Sequence, residues 1–393
     1  MTTIDFDGGR AALGRSLLAS QVLSSDWVPT FAAVPRSAFL PDVIWPHDMA
    51  SGGSVAVSRL DDPVTWQGYA DANVPIVTQW DDGTHDGLTP GELSTSSASM
   101  PSVVFSMLRD LEVMAGCRVL EIGTGTGWNA ALLAHRLGLP NVVSIEVDPV
   151  VAASARESLR RFGLPVEVIT GDGFLGCPDG APWDRVIATC GLRSLPFAWV
   201  EQLRPGGLLL APWGTNHGHL DATVRLVAAQ DGCSASGRFL GPVEFMKLRA
   251  QRMAWPAHER YVPPEGVADA VKSSTSITEA EFGTGRFDAS HFAVGLQVRD
   301  CVRSVADKRE GARPVWFYSL TDRSWAVVIF RDGEGEATVY QSGERRLWDD
   351  VEAGWRWWDA EGRPGFERFG LTVTAEGQTA WLDSPKQPIA ALA

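Results

Sequence analysis

The sequence is poor in lysine: Lys247, Lys272, Lys308 and Lys386 are the only four, and residues 1–246 draw all their positive side chains from arginine. An arginine bias of this kind is a common mark of a GC-rich genome, yet it also excludes chemistry. Neither a Schiff-base lysine nor the lysine of a phosphate-binding loop is available in the first part of the chain. Cysteine is scarce too. Cys117, Cys177, Cys190, Cys233 and Cys301 are odd in number, widely spaced and without a Cys-x-x-Cys pair, so neither a disulfide framework nor a metal site is expected. No run of about 18 apolar residues occurs. The opening Met1-Thr-Thr-Ile-Asp-Phe-Asp7 lacks a basic segment followed by an apolar one, and the expectation is a cytoplasmic protein with no membrane partner. Basic charge is short overall, with 34 Lys+Arg against 48 Asp+Glu and a net −14. Residues 1–246 hold 26 acids and 15 arginines (−11), leaving 22 acids and 19 bases (−3) for the rest. Nucleic acid and anionic membranes both need a basic footprint to displace counterions, so neither is expected as a partner. Nothing in the sequence indicates an oligomeric state.

What the chain does have is a core. Its 393 residues are 45% hydrophobic and 21% charged, enough for two units. Between residues 103 and 213 short apolar runs alternate with helix-length amphipathic stretches: strand Arg118–Glu121, helix Ala130–Leu137, strand Val142–Ile145, helix Val151–Phe162, strands Val166–Thr170 and Arg185–Thr189, helix Phe197–Leu203 and strand Gly207–Pro212. This alternation is the sequence form of a doubly wound, mostly parallel sheet, and the fold class is α/β. Residues 1–100 are less regular: a helix is expected over Arg10–Val22 and an exposed loop over Gln79–Gly91. After about Leu240 the character changes to strands Val315–Leu320, Ser324–Phe330 and Ala337–Gln341 and a helix from Leu347 to Trp358. That region carries eight of the 16 tryptophans, which reads as an aromatic core or, alternatively, as a peptide-binding surface. The expected division is a helical and loop region over 1–100 contributing to the substrate site, a Rossmann-like core over 101–245, and a smaller α+β domain over 246–393 with a possible role in peptide recognition.

The turn Glu121-Ile-Gly-Thr-Gly-Thr-Gly127 follows a strand and opens a helix, the setting in which glycines let backbone approach a nucleotide-like ligand. Read from Gly123, a dinucleotide fingerprint would need its third glycine where Trp128 stands; only the permissive register Gly125, Gly127, Ala130 survives. A phosphate loop fails for want of lysine. The pattern acid-x-Gly-x-Gly-x-Gly fits the turn of Rossmann-like S-adenosylmethionine-dependent methyltransferases. Glu146 ends the next strand, where a carboxylate can accept from both hydroxyls of a ribose. Asp172, in Thr170-Gly-Asp-Gly173, ends the third and can accept from an adenine amino group. Each of these acids can equally be an ordinary helix cap.

Over roughly residues 34–214 the sequence resembles the protein-L-isoaspartate O-methyltransferases. The resemblance rests on Val34-Pro-Arg36 with Phe39-Leu-Pro41, Tyr69-x-Asp71 leading to Val74-Pro-Ile76, Ser97-Ala-Ser-Met-Pro101, Val119 to Trp128, Gly171-Asp-Gly173, Ala181-Pro-Trp-Asp184, and Gln202-Leu-Arg-Pro-Gly-Gly207 running to Pro212-Trp-Gly214. It implies S-adenosylmethionine as cofactor, leaving as S-adenosylhomocysteine, with contacts from Glu121, Gly123, Thr124, Gly125, Gly127, Trp128, Glu146, Val147, Gly171, Asp172, Gly173 and Thr189. It implies Ser99 as the residue holding the acceptor carboxylate, with Ser97, Ala98, Pro212 and Trp213 at the substrate. Three departures stand out: Ser99-Met100-Pro101 replaces the family's Ser-Gln-Pro or Ser-Ala-Pro, an acidic loop runs from Trp80 to Glu92, and some 150 residues follow the family-sized part. With these the pattern looks more like the actinobacterial branch that modifies ribosomally made peptides such as lanthipeptides and graspetides. The reading placed first is therefore methylation of an aspartate side chain in a modified precursor peptide, the ester closing to a succinimide (aspartimide) or isoaspartate. The alternative is isoaspartate repair on damaged proteins. Either acceptor is ionised at neutral pH, so no general base is required. The acid pairs Asp61-Asp62 and Asp81-Asp82 are expected to select basic stretches of a substrate.

Overall fold

Three sheets follow one another along the chain. In the computed structural model, which describes residues 9–49 and 51–392, helices α1 (Gly9–Ala19) and α2 (Val28–Ala33) lead into an antiparallel sheet of order β2-β1-β3-β4. Its strands are β1 (Val43–Pro46), β2 (Val57–Ser58), β3 (Ile76–Trp80) and β4 (Ser94–Ala98). Helix α3 (Pro63–Ala70) sits between β2 and β3; Asp62 caps it by accepting the Thr65 amide, and Pro63 occupies a first-turn position that needs no amide donor. The opening Met1–Asp7, whose lack of a leader pattern was noted above, lies outside the described residues.

Helix α4 (Pro101–Asp110) then enters the main sheet, built from β5 (Val119–Ile122), α5 (Trp128–Leu137), β6 (Val142–Glu146), α6 (Pro149–Phe162), β7 (Glu167–Thr170), β8 (Trp183–Ala188), α7 (Phe197–Glu201), β9 (Leu203–Gly214), β10 (Asp221–Ala228) and β11 (Ser234–Val243). The parallel part has the order β7-β6-β5-β8-β9, and β10 and β11 extend it antiparallel. Every residue of β5 and β6 is buried, because helices cover both faces; this is why these strands read as continuous apolar runs. One face packs Leu17, Phe105, Leu132 and Leu159 of α1, α4, α5 and α6 against Ile187 and Leu210. The other packs Trp199, Trp213, Phe239 and Phe292 against Ile122 and Val186. The expected α/β class with a doubly wound sheet is what the chain forms, but the sheet is mixed: its parallel half, β7-β6-β5-β8-β9, is continued by antiparallel strands that the sequence did not announce.

The region after β11 contains a third sheet of order β12-β16-β15-β14-β13, all antiparallel: β12 (Val271–Thr275), β13 (Cys301–Val305), β14 (Ala312–Ser319), β15 (Trp325–Arg331) and β16 (Ala337–Ser342). Helices α8 (Glu279–Phe282), α9 (Ala289–Gln297) and α10 (Leu347–Ala360) cover it around Phe282, Phe317, Trp348 and Trp355. Of the eight tryptophans of this region, Trp325, Trp348, Trp355 and Trp381 are buried, Trp316, Trp357 and Trp358 are half-buried, and Trp255 alone is exposed. The aromatics are thus spent mainly on a core. The last strands, β17 (Phe369–Thr374) and β18 (Gly377–Leu382), return to the main sheet, β17 pairing with β11. Phe369, Leu371 and Val373 alternate inward and bury beside Phe239 and Phe292, so this part of 246–393 joins the main core rather than the small unit. No helix among the described residues is long and apolar enough to cross a membrane.

Candidate functional site

The strand order reverses between β5 and β8, and a cleft opens beyond the carboxyl ends of β5, β6 and β8. Crevices at such switch points are where doubly wound sheets take ligands. The glycine turn forms its floor. Gly123, Gly125 and Gly127 all have positive φ (99°, 53° and 87°), a region that side chains disfavour. At Gly123 a Cβ would also lie 2.8 Å from Thr189 Oγ1. The Gly123 and Thr124 amides both donate to the Ile145 carbonyl (2.8 and 3.2 Å), and Thr189 Oγ1 donates to the Ile122 carbonyl (3.1 Å), tying the turn to both neighbouring strands.

Two carboxylates lie under the turn. Glu121 is fully buried; its Oε1 accepts from Asn129 Nδ2 (2.7 Å) and its Oε2 from Ser144 Oγ (2.6 Å). Burial pushes its pKa up to about 7 against those two hydrogen bonds, with the Glu146 charge adding to the rise. Glu146 accepts the Gly125 amide through Oε2 (2.9 Å) and the Asp148 amide through Oε1 (3.1 Å), and burial raises its pKa as well. Each of its oxygens keeps a lone pair for a ligand in the cleft.

The facing wall is the β4–α4 junction, residues Thr95 to Ser99. It is fixed by Arg36, whose buried guanidinium donates to five carbonyls: Ala70 (3.0 Å), Val74 (2.9 Å), Tyr69 (2.7 Å), Ala72 (2.8 Å) and Ser99 itself (3.2 Å). Burial lowers the Arg36 pKa to about 9, which still leaves it charged at neutral pH. Ser99 is not the cap of α4. That position is Met100, and Asn73 Oδ1 accepts the Ser102 amide from outside (2.9 Å), leaving the Ser99 hydroxyl at the cleft.

A third wall comes from the segment after β11, Phe245 to Arg252. Arg249 Nη2 bridges Asp82 Oδ1 (2.9 Å) and Asp148 Oδ2 (3.0 Å), and Arg252 Nη1 reaches both oxygens of Asp82 (2.8 and 2.9 Å). Asp81 accepts the Glu92 and Leu93 amides (3.1 and 2.7 Å) and Asp62 caps α3. Three of the four acids in the pairs expected to meet a basic substrate, Asp62, Asp81 and Asp82, thus have partners within the protein, and Asp61 is exposed. Lys247 borders the cleft and pairs, with Arg193, to the buried Asp221. Burial pushes the Cys190 thiol up to about 12, which disfavours the thiolate.

Of the expected residues, Ser97, Ala98, Ser99, Glu121, Gly123, Thr124, Gly125, Trp128, Glu146, Val147, Gly173 and Thr189 border one cleft. Gly127, Gly171 and Asp172 do not; Gly127 caps α5, and Asp172 Oδ1 accepts the Phe174 amide (2.9 Å). Pro212 and Trp213 also lie elsewhere: β9 carries them into the interior, where Trp213 packs on Phe239 and Phe292 and donates to Gln378 (3.2 Å). Asn129, Cys190, Met246, Lys247, Arg249 and Arg252 border the cleft without having been singled out in that role. Only Asn129 carries a local signal, at the second position of the helix that the glycines open.

Residues 65–251 match the family described as protein-L-isoaspartate(D-aspartate) O-methyltransferase, the span that contains nearly the whole cleft. Relatives include the protein-L-isoaspartate O-methyltransferases of Pyrococcus abyssi (43% identical over 122 residues, 31% of this chain and 56% of that protein) and Xanthobacter autotrophicus (36% over 152 residues, 38% and 65%). The chain spans about half the length of the first of these relatives. A solved structure titled protein-L-isoaspartate O-methyltransferase superposes with a TM-score of 0.52 at 19% identity, covering 95% of this chain and all of the other. That likeness is one of fold, and it reaches beyond the main sheet: this is a Rossmann-like methyltransferase fold with a further antiparallel unit.

Proposed function

We propose that the protein is an S-adenosylmethionine-dependent O-methyltransferase whose acceptor is the carboxylate of an isoaspartyl residue. The observation that carries this is the single cleft in which the glycine turn and Glu146 face the Ser97–Ser99 wall. The adenosyl group suits the residues present: Glu146 keeps acceptor capacity for ribose hydroxyls, Ile122, Ile145 and Val147 offer apolar surface, and the backbone of Gly123 and Gly125 leaves no side chain in the way. When bound, S-adenosylmethionine supplies an electrophilic methyl group on a sulfonium sulfur. The chain's own task is positioning, because a carboxylate with pKa about 3.9 is already ionised. Ser99 Oγ donates to the acceptor oxygen that is not methylated, and Arg36 holds Ser99 in register with the turn. Aligned, partly desolvated reactants of this kind gain roughly 7–11 kcal/mol over free ones.

The name shared by the relatives favours the isoaspartyl acceptor over the ordinary aspartate of a ribosomally made peptide that the sequence placed first. The test incubates the protein and S-adenosylmethionine with a linear isoaspartyl peptide, its aspartyl isomer and a cyclised aspartyl peptide, and reads methyl ester by mass spectrometry. Ester on the isoaspartyl peptide is expected. Ester confined to the cyclised aspartyl peptide would reverse the choice of acceptor, and none on any would end the proposal.

A further inference from the structure

A second cavity lies between the β9–β10 turn of the main sheet and α9 and β13 of the C-terminal unit. Its polar lining is unusual for so covered a place. His217 is 2% exposed and neither ring nitrogen has a hydrogen-bond partner of good geometry, the Cys301 backbone being the polar group that faces the ring; the ring stacks with His291 (centroids 6.1 Å apart) and with Phe317 (6.0 Å). His291, 4% exposed, has an unpartnered Nδ1, while its Nε2 lies 2.7 Å from the Gly283 carbonyl and 2.6 Å from Arg303 Nη1. A neutral ring can use Nε2 to donate to the carbonyl or to accept from the guanidinium, not both, so one of these two contacts is always unmet. Burial holds His217 down at about 3 and His291 well below its usual value, so both rings are neutral.

Charge sharpens the point. The acids nearby are already engaged: Glu244 takes both ends of Arg286 (2.7 and 2.8 Å), and Asp288 accepts the Gly285 amide (2.9 Å). The Arg303 guanidinium makes no ion pair within 4 Å among the described residues, although the charge of Asp288 acts on it; its one hydrogen-bond partner there is the neutral His291. A half-buried guanidinium beside ring nitrogens that lack partners leaves hydrogen-bonding capacity unmet, and buried polar groups are almost always satisfied in a working protein.

We propose that this second cavity binds an oxyanion group, carboxylate or phosphate, held by Arg303 together with ring N–H donors of His217 and His291. A planar or tetrahedral oxyanion accepts from the guanidinium fork and from one N–H of each ring at once; His291 then donates through Nδ1 while its Nε2 accepts from Arg303. Carboxylate and phosphate share this chemistry, and the probes separate their sources: inorganic phosphate stands for a free anion, an N-acetylated dipeptide for the carboxyl end of a polypeptide, and the same dipeptide as its terminal amide for contacts other than the anion.

The experiment titrates the full chain with each probe by calorimetry, beside Arg303→Gln, and follows the histidine ring N–H resonances of the wild type. Phosphate or the dipeptide acid, but not the amide, is expected to bind and to move the His217 and His291 resonances. Arg303→Gln should weaken that binding about tenfold or more, as loss of a hydrogen bond to a charged group does. If Arg303→Gln does not fold, the wild-type resonances decide. Absence of binding by both acids, equal binding of acid and amide, wild-type affinity in Arg303→Gln, or unmoved His217 and His291 resonances would each overturn the proposal and leave a cavity filled by water alone.

Discussion

The two main walls of the cleft are made in different ways. The cofactor wall is local: a strand, a five-residue turn and a helix, with Glu121 and Glu146 held by neighbours in the adjoining strand and turn. The acceptor wall is assembled from distance, since Ser99 is placed by Arg36 through carbonyls of 69–74, and the loop beside it is pinned by Arg249 and Arg252 from beyond the main sheet. A wall of the first kind is robust to changes elsewhere. A wall of the second kind fails when one remote side chain is lost.

The sharpest way to break this contrast is Arg36→Met, which leaves five carbonyls without their donor. We expect a loss of about 3–5 kcal/mol in urea unfolding, the scale for breaking a buried charged network. The cofactor wall is probed through Glu121. Its folded pKa of about 7 lies above the ordinary 4.5, so its contribution to stability is full at low pH and is lost as the pH rises through about 7. Glu121→Gln, a neutral isostere, should flatten the fall in stability between pH 5 and 8 by roughly 2–3 kcal/mol, read from unfolding curves across that range. Glu146, raised in the same direction, keeps part of the slope. Ser99→Ala should lower kcat/KM for the isoaspartyl peptide about 10- to 100-fold with an unchanged melting temperature, the signature of one hydrogen bond to a charged acceptor. The smallest effect belongs to Asp82→Asn. Its ion pairs are partly exposed, so stability should move by less than about 1 kcal/mol, while limited proteolysis within residues 83–91 should speed up.

The sequence made one wall legible and the other only in outline. The glycines and the acids at strand ends are fixed by spacing along a few residues, so the turn, Glu121 and Glu146 could be read directly, whereas Thr189 came only with the family resemblance. Val34-Pro-Arg36 was visible as a motif, but that its arginine gathers five carbonyls depends on where residues 69–74 and 99 are brought by the fold. Asp82 looked like a free surface acid because its partner Arg252 stands 170 residues away. Trp213 was misplaced for a related reason: a Pro-Trp-Gly run at a strand end gives no sign that β10 and β17 will extend the sheet past it and bury the indole. The helix Arg10–Val22 was read well enough, running from Gly9 to Ala19, whereas Gln79–Gly91, expected as loop throughout, begins within β3.

The return of β17 to β11 has a consequence for how the protein is made. As the chain leaves the ribosome, β11 emerges with its outer edge unpaired and must wait for all of the third sheet to follow before Phe369–Thr374 arrives to cover it. Closing so long a loop is slow, and an apolar strand edge left open during that time is a template for other nascent chains. Gly237 and Arg238 lie on that waiting edge, an arginine and a residue without a side chain where a run of apolar residues would invite association. The sheet that carries the cleft is therefore among the last parts of the molecule to be finished, although its central strands are among the first to be synthesised.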